Sequence, residues 1–170
     1  KAEVEVYSDQ QEVELLLNGK SLGRKPLKAC KAIYKTKYHA GTLTAVSFDK
    51  NGKETGRSEL KSANQSLKIA VRSEKKEVIS GEVFYVPIQI EGVNNIIESN
   101  ADRKLTVTVE GGELLAFGSA NPCTEEEYHT GTFTTFYGRS LAILRAGTSG
   151  KVKITVSDGK MKGYEEVSIK

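Results

Sequence analysis

Tryptophan is absent from these 170 residues, and cysteine, histidine, proline and methionine number only two, two, three and one. Each scarcity removes a class of protein. Cys30 and Cys123 are too few for a disulfide framework and stand in no metal-ligand spacing, so both are expected as free thiols. His39 and His129 lie in opposite halves of the chain without a second ligand at metal spacing, so neither a metal site nor a cofactor is expected. No apolar run approaches the ~20 residues of a membrane-spanning helix, and no membrane partner is expected. The 25 Lys and Arg against 22 Asp and Glu are interspersed along the chain. The densest basic stretch, from Lys20 to Lys37, reads as edge protection and solubility on a half-exposed sheet. Neither half has the concentrated positive field that phosphate-backbone binding needs, which excludes nucleic acid as a partner.

What is present is a period of two. Apolar residues alternate at Val4 and Val6, then at Val13, Leu15 and Leu17, and a helical period is missing throughout. Asn18-Gly19 follows at once and predicts a two-residue hairpin, because both central positions of a type I′ turn need φ > 0. Lys31 to Tyr38, Thr42 to Asp49 and Lys53 to Lys61 supply further strands, and Gly56 suits an edge or a bulge better than a central strand. About six short strands in some sixty residues have the spacing of a small sandwich.

Ser62 to Ser66 is short, polar and aperiodic, and reads as a linker. A second strand set follows it: Leu67 to Val71, Val83 to Ile90, Leu105 to Val109, Leu114 to Phe117, Thr132 to Tyr137, Leu141 to Arg145, Val152 to Val156 and Tyr164 to Ile169. Pro87 lacks the N–H of a ladder and places its strand at an edge or bulge. These readings divide the chain into two domains, 1–63 and 66–170, of an all-β protein. Strand-like alternation from Ala2 onward, with no initiator Met, reads as a piece of a longer polypeptide.

The longest irregular stretch runs from Ser119 to Thr130, and loops of that length carry function or meet something outside the fold. Asn121, Glu125, Tyr128 and His129 on this loop, with Tyr137 beyond it, are the candidate contact residues. Glycoside cleavage needs two carboxylates about 5–9.5 Å apart across a sugar. Glu125, Glu126 and Glu127 are adjacent in sequence and read instead as a solvated acidic run or the first turn of a short helix after Pro122. No catalytic residue is assigned. Tyr128, Phe133, Phe136 and Tyr137 cluster near the loop, where a carbohydrate platform competes with ordinary strand packing.

Longer motifs add a resemblance. Val4 to Ser8, followed by Glu12 to Gly23 with its Leu-Asn-Gly-Lys-Ser-Leu-Gly segment, resembles the immunoglobulin-like domain that follows the catalytic barrel in glycoside hydrolase family 2 enzymes. Tyr38 to Val46, Gly52 to Glu54 and Glu59 to Ala63 continue the likeness, although Ala32-Ile33-Tyr34 stands where the family usually has a Trp or another aromatic pair. Gly112 to Pro122 and Gly138 to Gly147 are similar to the further C-terminal domain of the same enzymes. The resemblance implies two immunoglobulin-like β-sandwich domains in tandem and a β-galactosidase-like, retaining parent. Its acid/base and nucleophile glutamates would stand on a barrel upstream, in the cytoplasm, the periplasm or outside the cell. The expected role is a non-catalytic accessory region partnered by that barrel, against the alternatives of a carbohydrate-binding module or an adhesin-like interaction domain.

Overall fold

The computed structural model describes residues 1–64 and 66–170, and every regular element among them is a β-strand. Gln65, inside the segment read as a linker, lies outside the described residues. Contacts separate two compact units, Lys1–Asn64 and Gln65–Lys170.

The first unit holds β1 (Ala2–Tyr7), β2 (Glu12–Leu17), β3 (Lys20–Pro26), β4 (Lys31–Thr36), β5 (Thr42–Phe48) and β6 (Glu54–Lys61). Two sheets face each other, a pair β1-β4 and a four-stranded sheet ordered β3-β2-β5-β6. Alternation puts Val6 of β1, Val13 and Leu15 of β2, and Ala32 and Tyr34 of β4 into one core, as a half-buried antiparallel sheet requires. The expected hairpin forms: Asn18 and Gly19 have φ of 52° and 78° between β2 and β3. The Asn18 side chain also accepts from the Thr42 amide at 2.8 Å and donates to the Ala40 carbonyl at 3.2 Å. Gly41 has φ of 141° and a Cβ there would lie 1.8 Å from Asn18 Oδ1, so a side chain would be strained and would displace Asn18 from these two bonds. Gly56 sits on the edge strand β6 beside a register shift at Ser47/Phe48, as its type suggests.

Tyr34 closes this core, 2% exposed, with its hydroxyl donating to the Val13 carbonyl at 2.7 Å. Burial, and to a lesser degree Glu14, raises the pKa of its phenol. Tyr34→Phe keeps the ring and removes one buried hydrogen bond, an expected loss of about 1 kcal/mol. Urea unfolding followed by a probe in the first unit measures it; an unchanged midpoint would show that the hydroxyl contributes nothing.

The second unit holds β7 (Leu67–Val71), β8 (Glu77–Val78), β9 (Val83–Gly92), β10 (Lys104–Glu110), β11 (Gly112–Gly118), β12 (Thr132–Thr134), β13 (Arg139–Ala146), β14 (Gly150–Ser157) and β15 (Lys162–Ile169). One sheet runs β12-β10-β14-β15-β8 and the other β11-β13-β9-β7. All pairs are antiparallel except β15 with the two-residue β8. Between the sheets lie Phe84, Val86, Ile88 and Ile90 of β9, Leu105 and Val107 of β10, Phe117, Phe133, Leu144, and Val152, Ile154 and Val156 of β14. Cys30 and Cys123 are free and exposed, one in each unit.

Two sequence expectations need correction. Pro87 is not on an edge strand, because β9 lies between β13 and β7. β7 stops at Val71, opposite Ile88, and the Arg72 amide then donates to the Pro87 carbonyl at 3.1 Å. Pro87 returns no N–H, so regular pairing lapses there for want of a donor, and a single bond from the Glu74 amide to the Tyr85 carbonyl at 3.2 Å follows it. Nor is Thr132 to Tyr137 one strand. β12 ends at Thr134, and Tyr137 and Gly138, with φ of 50° and 69°, turn the chain back so that Phe136 bridges Arg139.

Candidate contact surface

The 119–130 loop contains no helix, which corrects the alternative of a helical turn after Pro122. The loop instead folds back onto its own sandwich. Phe117, the inward residue near the end of β11, donates its amide to the Tyr128 carbonyl at 2.7 Å. The Tyr128 ring stacks on buried Phe133 with centroids 5.1 Å apart and planes 14° from parallel. It lies so close over β11 that a Cβ on Gly118 would meet its ring carbons at 2.3 and 2.4 Å. Glycine at 118 is what lets the loop seat.

The acidic run divides by role. Glu126 is half-buried and accepts from the Thr134 amide at 3.0 Å and its hydroxyl at 2.9 Å, with Lys104 Nζ 4.0 Å away. It is a latch on β12 and not part of a solvated run. Glu125 is exposed, and Glu127 faces His129 Nε2 at 3.3 Å in solvent. Asn121 accepts from the Cys123 amide at 3.0 Å, a local turn.

Tyr128 and Tyr137 come together on one surface. Both are more than half exposed, at 52% and 58%, and both border a groove of about 560 Å³ floored by Ala116, Leu141 and Ile143. The Tyr137 ring rests on Phe136, centroids 4.4 Å apart, and its amide donates to Asp102 at 3.0 Å. Asn121, Glu125 and His129 do not line this groove. No carboxylate does, so the groove lacks the acid and base of glycoside cleavage.

Strand register explains the floor. Leu141 lies opposite Pro87 and Ile143 opposite Tyr85, and all four point away from the core. With Val83 at 42% and Tyr85 at 44% exposed, the apolar face continues past the groove across β9. Ser119 and Ser140 border the groove, yet their hydroxyls are buried without a hydrogen-bond partner. Ser140 alternates with Ala142 and Leu144 on the inner face of β13, which turns its hydroxyl toward the core. Sequence reading missed Leu141 and Ile143 as surface residues because an apolar strand is read as core first.

Residues 67–166 match the family model described as glycoside hydrolase family 2 C-terminal domain 5. The chain belongs to this family. Ahead of that C-terminal domain 5, residues 1–56 match a domain of unknown function, DUF4982. A β-galactosidase of Bacteroides ovatus is 25% identical over 169 residues, covering 95% of this chain and 20% of its own length. A glycosyl hydrolase family 2 member from Bacteroides cellulosilyticus superposes with a TM-score of 0.87 at 28% identity, over 98% of this chain and 24% of that one. A β-glycosidase from Bacteroides vulgatus gives 0.79 at 28% identity, over 98% and 22%. The chain therefore spans about a fifth to a quarter of the proteins it matches.

Proposed function

We propose that this chain is the non-catalytic C-terminal accessory region of a retaining, β-galactosidase-like glycosidase, and that the outer face of β11, β13 and β9 seats against that enzyme's catalytic part. The domains 1–63 and 66–170 are then scaffold for a reaction carried out on chain outside them. The observation that carries the reading is the exposed apolar face itself. Contiguous patches of this kind are rare on a free surface and mark contacts. The catalytic part is favoured as occupant because relatives named as β-galactosidase and β-glycosidase are four to five times longer than the stretch matched here.

Leu141→Arg tests the docking. The side chain is 39% exposed in this chain, so the isolated 170 residues should unfold at an unchanged temperature and turn over no chromogenic β-galactoside. In the whole enzyme the arginine would be desolvated on seating, an expected loss of about 2 kcal/mol, read as a lower melting temperature and reduced turnover. Unchanged stability of the whole enzyme, with loss only of retention on a polysaccharide column, would overturn docking in favour of a carbohydrate-binding surface at Tyr128 and Tyr137.

A further inference from the structure

The first unit is an unfinished sandwich. A four-stranded sheet faces only two strands, β1 and β4, and the shortfall lies beside β1. Between β1 and the β5-β6 side of the other sheet runs a cleft of about 460 Å³ lined by Val4, Val6, Leu15, Leu43, Ala45 and Leu60. A smaller cavity of about 200 Å³ continues it past Val4, Leu43 and Leu60. Leu60 points into this space yet is 70% exposed, and Leu43 and Ala45 are only half-buried.

The backbone beside the cleft is equally incomplete. In the β1-β4 register Ser8 stands opposite Cys30, and the Ser8 amide donates to the Cys30 carbonyl at 3.0 Å. Antiparallel bonding alternates, so Val6, Val4 and Ala2 bond β4 while the N–H and C=O groups of Glu3, Glu5 and Tyr7 point away from it. No strand among the described residues pairs with that edge. Free edges in natural sheets are blunted by charge, proline or bulges. The β3 edge carries Lys20, Arg24, Lys25 and Pro26, and the β6 edge carries Gly56 at a register shift among four charged residues. β1 has neither proline nor bulge; its two charges, Glu3 and Glu5, lie on the outer face in ion pairs with Lys35 and Lys31 of β4, and its inward residues are Val4 and Val6.

We infer that the β1 edge is a strand-acceptor site, occupied by an extended segment of the same enzyme's polypeptide from outside these 170 residues. The segment pairs with Glu3, Glu5 and Tyr7 as the third strand of the two-stranded sheet. Its alternate apolar side chains enter the cleft over Leu43, Ala45 and Leu60, the geometry of β-strand addition. A single polypeptide is the favoured source because most of the length of the matched relatives lies outside this stretch, and an intramolecular strand meets the edge at high effective concentration. The inference rests on the reading of the chain as part of a larger enzyme.

Amide hydrogen exchange resolved to single residues tests it, on the 170-residue chain and on the whole enzyme. The amides of Glu5 and Tyr7 should exchange at least tenfold more slowly in the whole enzyme, while those of Val4 and Val6, bonded to β4, stay slow in both. Equal exchange of Glu5 and Tyr7 in the two proteins would overturn the proposal. So would slowing in the 170-residue chain that rises with its concentration together with a dimer mass, because the occupant would then be a second copy. Turnover of a chromogenic β-galactoside by the whole enzyme, measured alongside, reads the accessory-region assignment separately from the strand pairing.

Discussion

Phe133→Ala is expected to destabilise the second unit by about 3–5 kcal/mol, the usual cost of emptying a fully buried aromatic position. Phe133 is 0% exposed on β12, paired with Leu105 across the ladder and touching the loop through the Tyr128 ring. Two losses therefore coincide: a cavity opens between the sheets, and the surface that holds Tyr128 disappears. For a unit of this size each kcal/mol lowers the melting temperature by roughly 4–8 °C, so thermal unfolding reads the effect directly. The Phe117 amide, bonded to the Tyr128 carbonyl, should exchange faster in the variant than the rest of β11. Phe133→Leu, which refills much of the volume, should recover most of the stability and not the ring stack. A loss below 1 kcal/mol for Phe133→Ala, or an unchanged Phe117 amide, would mean that the loop is held by other contacts.

Arg72→Ala should cost about 3 kcal/mol, the low end for breaking a buried pair because the arginine itself is half exposed. Its guanidinium meets the Glu91 carboxylate with two bonds, at 2.6 and 2.8 Å, and the Glu91 side chain is only 3% exposed. The hydrogen bonds to Glu91 in turn raise the arginine's pKa against the opposing effect of burial. Without Arg72 the carboxylate is left buried and unpaired, which is what makes the substitution costly. Arg72→Ala with Glu91→Gln should recover much of the loss at neutral pH. No recovery in the double variant would show that Arg72 acts by packing alone.

The period-two alternation of Val4 and Val6, Val13 and Leu15, and Leu105 and Val107 was enough to read an all-β chain, since these residues face inward in the structure. Asn18-Gly19 announced its hairpin, and Gly56 its edge, because both depend on one residue's own backbone and side chain. The 119–130 loop was legible as irregular, and Tyr128 and Tyr137 as residues of interest beside it.

Other features had no local signal. Pro87 is tolerated inside its sheet because the regular pairing of β7 stops at Val71, one position short of it, a fact about a strand sixteen residues away. Glu126 looked like its two neighbours until Thr134 was brought to it, and Gly118 looked like any strand-ending glycine until the Tyr128 ring was laid over it. Leu141 and Ile143 alternate as a core strand would, and only the burial of Ser140, Ala142 and Leu144 on the opposite face turned them outward. By itself the sequence determined which residues alternate and where the tight turns fall, because those are set by each residue's own conformational and solvation preferences. Which strand edge stays open, which apolar face lacks a cover and which loop residue is an anchor were decided by the tertiary structure, because each depends on partners distant in sequence that only the folded chain brings within bonding distance.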